Sequence, residues 1–97
     1  MRIISKAPLR SFWERYPAAA LPLQAWYKET TAATWATPND VKAQHRNASI
    51  IPSSRLVFNI KGNDFRLIVA INYAAAIVYI RFIGTHADYD KLDVATI

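Results

Sequence analysis

The chain contains no cysteine, only two glycines and no long hydrophobic run. Without cysteine it can form no disulfide, no cysteine-ligated zinc site and no cysteine nucleophile. This composition fits a reducing compartment, so we expect the protein in the cytoplasm. The most apolar window, residues 67–80, spans 14 residues, whereas a membrane-spanning helix needs about 20. The N-terminal segment has no signal-peptide core, and we therefore expect no membrane segment.

The totals predict one small basic globular domain. Hydrophobic residues make up 53% and charged residues 20% of the 97-residue chain. Residues 1–97 are therefore expected to form a single domain, which is too small for a two-domain enzyme with a large cofactor. The net charge is +5 and the pI is about 9.8. This charge favours a polyanionic partner such as nucleic acid, although an ordinary basic surface has the same composition.

Apolar spacing and capping residues predict three helices in the first half of the chain. The first covers residues 7–16 and the second residues 19–33. A third helix is expected to begin after Thr37, because Thr37 and Asp40 have the spacing of a capping box. It should end near His45, which we interpret as a polar residue at a helix terminus.

Beta-branched and aromatic residues predict four strands, over residues 1–5, 56–61, 65–71 and 77–83. Gly62-Asn63-Asp64 favours a hairpin turn, while residues 47–54 are interpreted as a polar loop. Residues 72–76 contain no glycine, so a single buried helix over residues 67–80 remains an alternative. Helices followed by strands predict an α+β domain, with the helices on one face of a small sheet.

Strand alternation predicts that the two faces of this sheet differ. One face is expected to be apolar, with Val78, Ile80 and Phe82 under the helices. The opposite face is expected to be uncovered and to carry polar and cationic residues: Asn59, Lys61, Arg66, Tyr79 and Arg81. Such a face can neutralise phosphates and stack bases, although strand cations also occur on ordinary solvated faces.

His86 and Tyr89 follow the last predicted strand, and a helical turn there would place them on one side. Histidine can donate or accept a proton near neutral pH, although a lone histidine is more commonly a surface or capping residue. His86, Asp88 and Asp90 could ligate a metal on an extended chain. No second ligand pair accompanies them, and the sequence predicts no metal site.

Most of the chain resembles a known family. Residues 57–63, 65–67, 79–86 and 89–90 resemble the HigB toxins, which belong to the RelE-like superfamily of toxin–antitoxin systems. The most specific part is Gly84-Thr85-His86 together with Tyr89-Asp90. The resemblance implies a RelE-like fold with a mixed, mostly antiparallel sheet, in which the N-terminal strand pairs in parallel with a later one. It also implies an endoribonuclease that cuts mRNA on the ribosome without a metal or cofactor, and a cognate helix-turn-helix antitoxin.

The resemblance further implies attack by the ribose 2′-OH on the adjacent phosphate. Arg66 and Arg81 would clamp that phosphate, and Lys61 would share the role or transfer a proton. His86 is the first candidate for the acid or base, and Tyr89 is the second. Four further residues are expected to bind RNA: Arg55, Asn59, Tyr79 and Thr85.

Two other functions remain open from the sequence. The first is a non-catalytic RNA- or ribosome-binding module of the same fold, which needs the cations but no proton donor. The second is a protein-binding domain whose basic face docks an acidic partner.

Overall fold

The computed structural model describes residues 1–97 as helices packed on one mixed sheet. In chain order the elements are β1 (Arg2–Ile4), α1 (Ala7–Arg15), a 3₁₀ turn (Pro17–Ala19), α2 (Ala20–Ala32), α3 (Pro38–Gln44), β2 (Ser49–Ile51), β3 (Arg55–Ile60), β4 (Phe65–Asn72), β5 (Ile77–Thr85) and α4 (His86–Tyr89). The sheet order is β1-β5-β4-β3-β2, with β1 parallel to β5 and all other neighbours antiparallel. The predicted α+β fold and its parallel N-terminal strand are confirmed. No helix combines the length and the hydropathy needed to cross a membrane.

The helix boundaries follow from local signals. Pro8 lies in the first turn of α1, where its missing N–H costs nothing, and the helix ends before Pro17. At the start of α3, Asp40 Oδ2 accepts a hydrogen bond from the Thr37 N–H at 3.1 Å. The Asp40 N–H in turn donates to Thr37 Oγ1 at 3.4 Å. The predicted capping box therefore fixes the start of α3.

The main core lies between the helices and one face of the sheet. Its fully buried side chains come from both layers and include Leu9, Leu23, Leu56, Leu67, Val69 and Val78. Burying each such side chain contributes roughly 1.5–3 kcal/mol relative to leaving it in water. This packing orients β3, β4 and β5, whose ends carry the candidate site.

The turn between β4 and β5 forms without glycine. The Asn72 side chain accepts a hydrogen bond from the Ala75 N–H at 3.0 Å, and Ala76 takes the left-handed backbone conformation with φ of 57°. An asparagine side chain that bonds the main chain can replace the usual glycine signal. Residues 67–80 therefore form parts of two strands, and the alternative of a single helix is wrong.

The expected loop over residues 47–54 contains an additional strand. Ser49–Ile51 form β2 and pair antiparallel with residues 55–57 of β3. Three residues are too few to show the alternation of apolar and polar side chains from which a strand is predicted. Since β2 pairs only with the first half of β3, residues 58–60 remain a free edge of the sheet.

A β-bulge in β5 changes which side chains face the core. Ile68 pairs with Phe82 and Val69 pairs with Ile80, which leaves Arg81 as an extra residue. Beyond the bulge the alternation is shifted by one residue, so Ile83 packs against the main core. The prediction that Phe82 shares the core face with Ile80 is therefore wrong.

Candidate functional site

The sheet face opposite the helices is partly covered. On this face Val57 and Ile68 are 2% and 0% exposed, and Arg66 is 9% exposed. Residues 86–97 fold back towards them: the Arg66 guanidinium stacks on the Tyr89 ring, and the Arg55 guanidinium binds the main-chain oxygen of Ile97. The prediction of an uncovered face is therefore wrong for Arg66 and its apolar neighbours, whereas Asn59, Lys61 and Arg81 are exposed as predicted.

A cluster of functional side chains forms at one end of the sheet. Phe65 pairs with Thr85, which places the β3–β4 turn beside the start of α4. The main-chain N–H of His86 donates to the Asp64 carbonyl at 3.1 Å and joins the two segments. We call this region the end cluster, and it brings together five of the predicted residues: Lys61, Arg66, Thr85, His86 and Tyr89.

Arg66 is buried beneath the end cluster and contacts both the β3–β4 turn and Tyr89. Its Nη1 donates to the carbonyls of Asn63 at 3.0 Å and Phe65 at 3.3 Å. The guanidinium carbon lies 5.7 Å from the centroid of the Tyr89 ring, within the range of a cation–π contact. The contacts are those of a residue that positions Tyr89 and the β3–β4 turn.

His86 is paired with Asp90, which the sequence did not indicate as its partner. Its Nδ1 lies 3.0 Å from Asp90 Oδ2, and both side chains are about half exposed. Thr85 caps α4 by accepting a hydrogen bond from the Asp88 N–H at 3.2 Å. Because Nδ1 is engaged, the imidazole can present Nε2 to a substrate. The i,i+4 spacing of His86 and Asp90 would have indicated this pair once α4 was taken as helical.

Lys61 and Arg81 are the exposed cations near this end. Lys61 Nζ forms a salt bridge with Asp64 Oδ2 at 3.0 Å, whereas Arg81 takes part in none of the three salt bridges. Arg81 is the extra residue of the bulge, so that Arg81 and Phe82 together lie opposite Ile68.

The Phe82 ring passes over Gly84, where an added Cβ would lie 2.4 Å from Phe82 Cζ. Glycine at this position therefore leaves room for the ring.

Two of the predicted RNA-binding residues lie away from the end cluster. Arg55 and Tyr79 both pair with Ala70, four residues along β4 from Arg66, which is roughly 13 Å. Arg55 also donates to the Ser53 carbonyl at 2.8 Å and is thus held within the protein. Asn59, in contrast, pairs with Arg66 and is exposed. No three histidine or acidic side chains are placed to hold a metal ion.

The fold and this end cluster define a small α+β protein of the RelE-like class. Residues 19–92 match the family model described as HigB_toxin, RelE-like toxic component of a toxin-antitoxin system. The chain belongs to this family, and the predicted resemblance is confirmed.

Curated relatives agree with this assignment along nearly the whole chain. The mRNA interferase HigB of Escherichia coli O6:H1 is 32% identical over 94 residues, which cover 95% of this chain and 91% of the relative. The mRNA interferase toxin HigB of Escherichia coli K12 and the mRNA interferase HigB of Shigella flexneri are each 26% identical over 98 residues. These matches cover 93% of this chain and 88% of each relative.

Proposed function

We propose that this toxin is an mRNA interferase, an endoribonuclease that cuts mRNA in the cytoplasm. The observation that carries the proposal is the His86–Asp90 pair, 3.0 Å apart, at the end of the sheet that also holds Tyr89 and Lys61. A paired imidazole, a phenol and nearby cations are the groups that phosphodiester cleavage by acid–base catalysis needs. The printed names of the relatives support the same activity.

In the proposed reaction the ribose 2′-OH attacks the adjacent phosphorus without a metal ion. His86 Nε2 accepts the 2′-OH proton as the 2′-oxygen–phosphorus bond forms. Tyr89 donates its phenolic proton to the 5′-oxygen as the phosphorus–5′-oxygen bond breaks. The products are a 2′,3′-cyclic phosphate and a 5′-OH, and no oxidant or reductant is consumed.

The cations divide into two roles in this proposal. Arg81 and Lys61 are exposed and bind the charged phosphate, where guanidinium and ammonium donors stabilise the charge that develops on its oxygens. Arg66 is buried and keeps Tyr89 in place. Thr85 and Asn59 contact the RNA beside the scissile phosphate.

The proposal includes two macromolecular partners. A ribosome presents the mRNA to the toxin, and an antitoxin that carries a helix-turn-helix neutralises it. The description of the family as the toxic component of a toxin-antitoxin system supports the second partner. The net charge of +5 supports binding to an RNA-rich surface.

A cleavage assay tests this function. Wild-type protein, Arg81→Ala and His86→Ala are incubated with a defined mRNA, with and without translating ribosomes and with a metal chelator, and the 3′ ends are mapped. We expect each variant to cleave about 10²-fold more slowly, the effect of losing one catalytic group. We expect the chelator to have no effect and the fragments to carry cyclic phosphate.

Arg10→Ala provides the matched control, because Arg10 is an exposed arginine on α1. It should cleave at the wild-type rate. Full activity in both Arg81→Ala and His86→Ala would refute the proposed site. Salt-sensitive RNA binding by wild-type protein without any fragments would instead select the non-catalytic RNA-binding module.

A further inference from the structure

A cleft follows the free edge of β3, next to the end cluster. Two adjoining cavities of about 180 and 210 Å³ share the residues His45, Phe58 and Asn59. They lie between α2, the segment that follows α3, and the part of β3 that β2 does not cover. We call this region the edge cleft, and its principal residues are Trp26, Glu29, His45, Phe58, Asn59 and Lys61.

Two side chains that line the edge cleft keep buried polar atoms without a hydrogen-bond partner. Trp26 is 3% exposed, and its Nε1–H has no acceptor. His45 Nε2 is also buried without a partner, and the nearest carboxylate oxygen, Glu29 Oε2, lies 3.8 Å away. Trp35, in contrast, donates its Nε1–H to Gln44 Oε1 at 3.0 Å. Unpartnered buried groups are costly and uncommon, and a bound ligand is one source of the missing partner.

The edge cleft combines aromatic walls with a polar rim. The Phe58 ring centroid lies 5.4 Å from that of Trp26 and 5.1 Å from that of His45. Burial lowers the pKa of His45, an effect that the Glu29 carboxylate partly offsets. The imidazole is therefore neutral at neutral pH and serves as an aromatic wall.

The charges and hydrogen-bonding groups of the rim suit RNA. Lys61 and Arg46 contribute two cations, against Glu29 as the single acid among the lining residues. The Asn59 amide is exposed and offers both donors and an acceptor. Asparagine and aromatic side chains are the residue types that read and stack unpaired bases.

We propose that the edge cleft binds one nucleobase of the RNA, adjacent to the phosphate that is cut. The inference rests on the proposed function, because Lys61 belongs to both the edge cleft and the end cluster. Cavities of about 180 and 210 Å³ suit one base and exclude a duplex. Asn59 reads the edge of the base, and Trp26 donates its indole N–H to an acceptor that the nucleotide supplies. Lys61 and Arg46 bind the flanking phosphates.

The indole N–H signals of the tryptophans in a proton–nitrogen NMR spectrum test the location. The protein is titrated with a single-stranded RNA whose 2′-OH groups are replaced by hydrogen, so that it cannot be cut by 2′-OH attack. We expect the Trp26 signal to move and the signal of Trp13, which lies on α1, to stay. Saturable binding that leaves the Trp26 signal unchanged would overturn the proposal.

Asn59→Ala tests the recognition step, with Asn39→Ala as the matched control because Asn39 is exposed on α3. We expect Asn59→Ala to change the ratio of cleavage between sites that differ in one base by about tenfold, since a bidentate base contact gives discrimination of this size. Asn39→Ala should keep the wild-type ratio.

The two proposals fail in different ways. If wild-type protein cleaves RNA and Asn59→Ala keeps the wild-type ratio of cleavage between the sites, base binding in the edge cleft is refuted, whereas the proposed enzymatic function still holds. If nothing is cleaved while the uncleavable RNA shifts the Trp26 signal, the cleft is supported and the enzymatic function is refuted.

Discussion

At the scale of single residues, Lys61 combines an exposed charge with a backbone conformation that most side chains avoid. Its φ is 51°, in the left-handed region, and Gly62 follows with φ of 61°. Any residue with a Cβ is strained there by about 1 kcal/mol or more. A lysine at this position is therefore kept at some cost to stability, which is a common property of functional sites.

Comparing Lys61→Gly with Lys61→Ala separates the effect of the ammonium group on cleavage from the effect of the strained backbone on stability. Both variants lose the charge, but only glycine relieves the backbone, so we expect Lys61→Gly to be about 1 kcal/mol more stable than Lys61→Ala. Urea denaturation measures this difference. Both variants should cleave RNA equally slowly, and full activity of Lys61→Gly would show that the ammonium takes no part in the reaction.

At the scale of secondary-structure elements, the features that could be predicted are those encoded locally. The capping box of α3 and the Gly62-Asn63 turn each lie within a few consecutive residues, and both were predicted. The bulge at Arg81 depends on how β5 pairs with β4, which alternation along one strand does not report. The same applies to the site. His86 and Tyr89 could be singled out, whereas the burial of Arg66 depends on residues that return from the end of the chain.

The short helix α4 gives Asp90 a role that can be measured. We expect Asp90→Asn to slow cleavage by roughly tenfold, a part of the 10²–10⁴ that acid–base catalysis supplies. The reason is that the amide replaces the carboxylate that lies 3.0 Å from Nδ1 and would stabilise the imidazole once it has accepted a proton. The measurement is a single-turnover cleavage rate.

Asp88→Asn is the control on the same helix, because the Asp88 side chain forms none of the salt bridges. It should retain the wild-type rate. Asp90→Glu should recover part of the loss, because it restores a carboxylate. A normal rate in Asp90→Asn would mean that His86 works without this partner.

The segment after α4 depends on Arg55. Its guanidinium donates to the Ile97 oxygen at 3.1 and 2.9 Å, and these bonds join the segment to the start of β3. We expect Arg55→Ala to lower the free energy of unfolding by roughly 1–3 kcal/mol, because two part-buried hydrogen bonds to the Ile97 oxygen are lost. Hydrogen exchange should increase in residues 92–97. Arg81→Ala, which removes an exposed arginine, should change the free energy of unfolding by less than about 0.5 kcal/mol.

At the scale of the whole molecule, the partly buried His45 links stability to pH. Burial lowers the pKa of His45, so the folded chain binds fewer protons than the unfolded chain between that lowered value and about 6.5. The free energy of unfolding should therefore be highest above about pH 6.5 and fall as the pH drops below it. Urea denaturation between pH 7.5 and 5.5 measures this slope. His45→Phe should have a flatter profile, and an equal slope in both proteins would contradict the assignment.

The bulge at Arg81 determines where β5 can change in length. Because Arg81 is the extra residue, its deletion would leave Ile80 opposite Val69 and Phe82 opposite Ile68, as in a regular strand. A one-residue deletion or insertion elsewhere in β5 would instead move the side chains of one half of the strand to the opposite face of the sheet. Natural changes in the length of this strand should therefore occur at position 81, while its other positions vary by substitution alone.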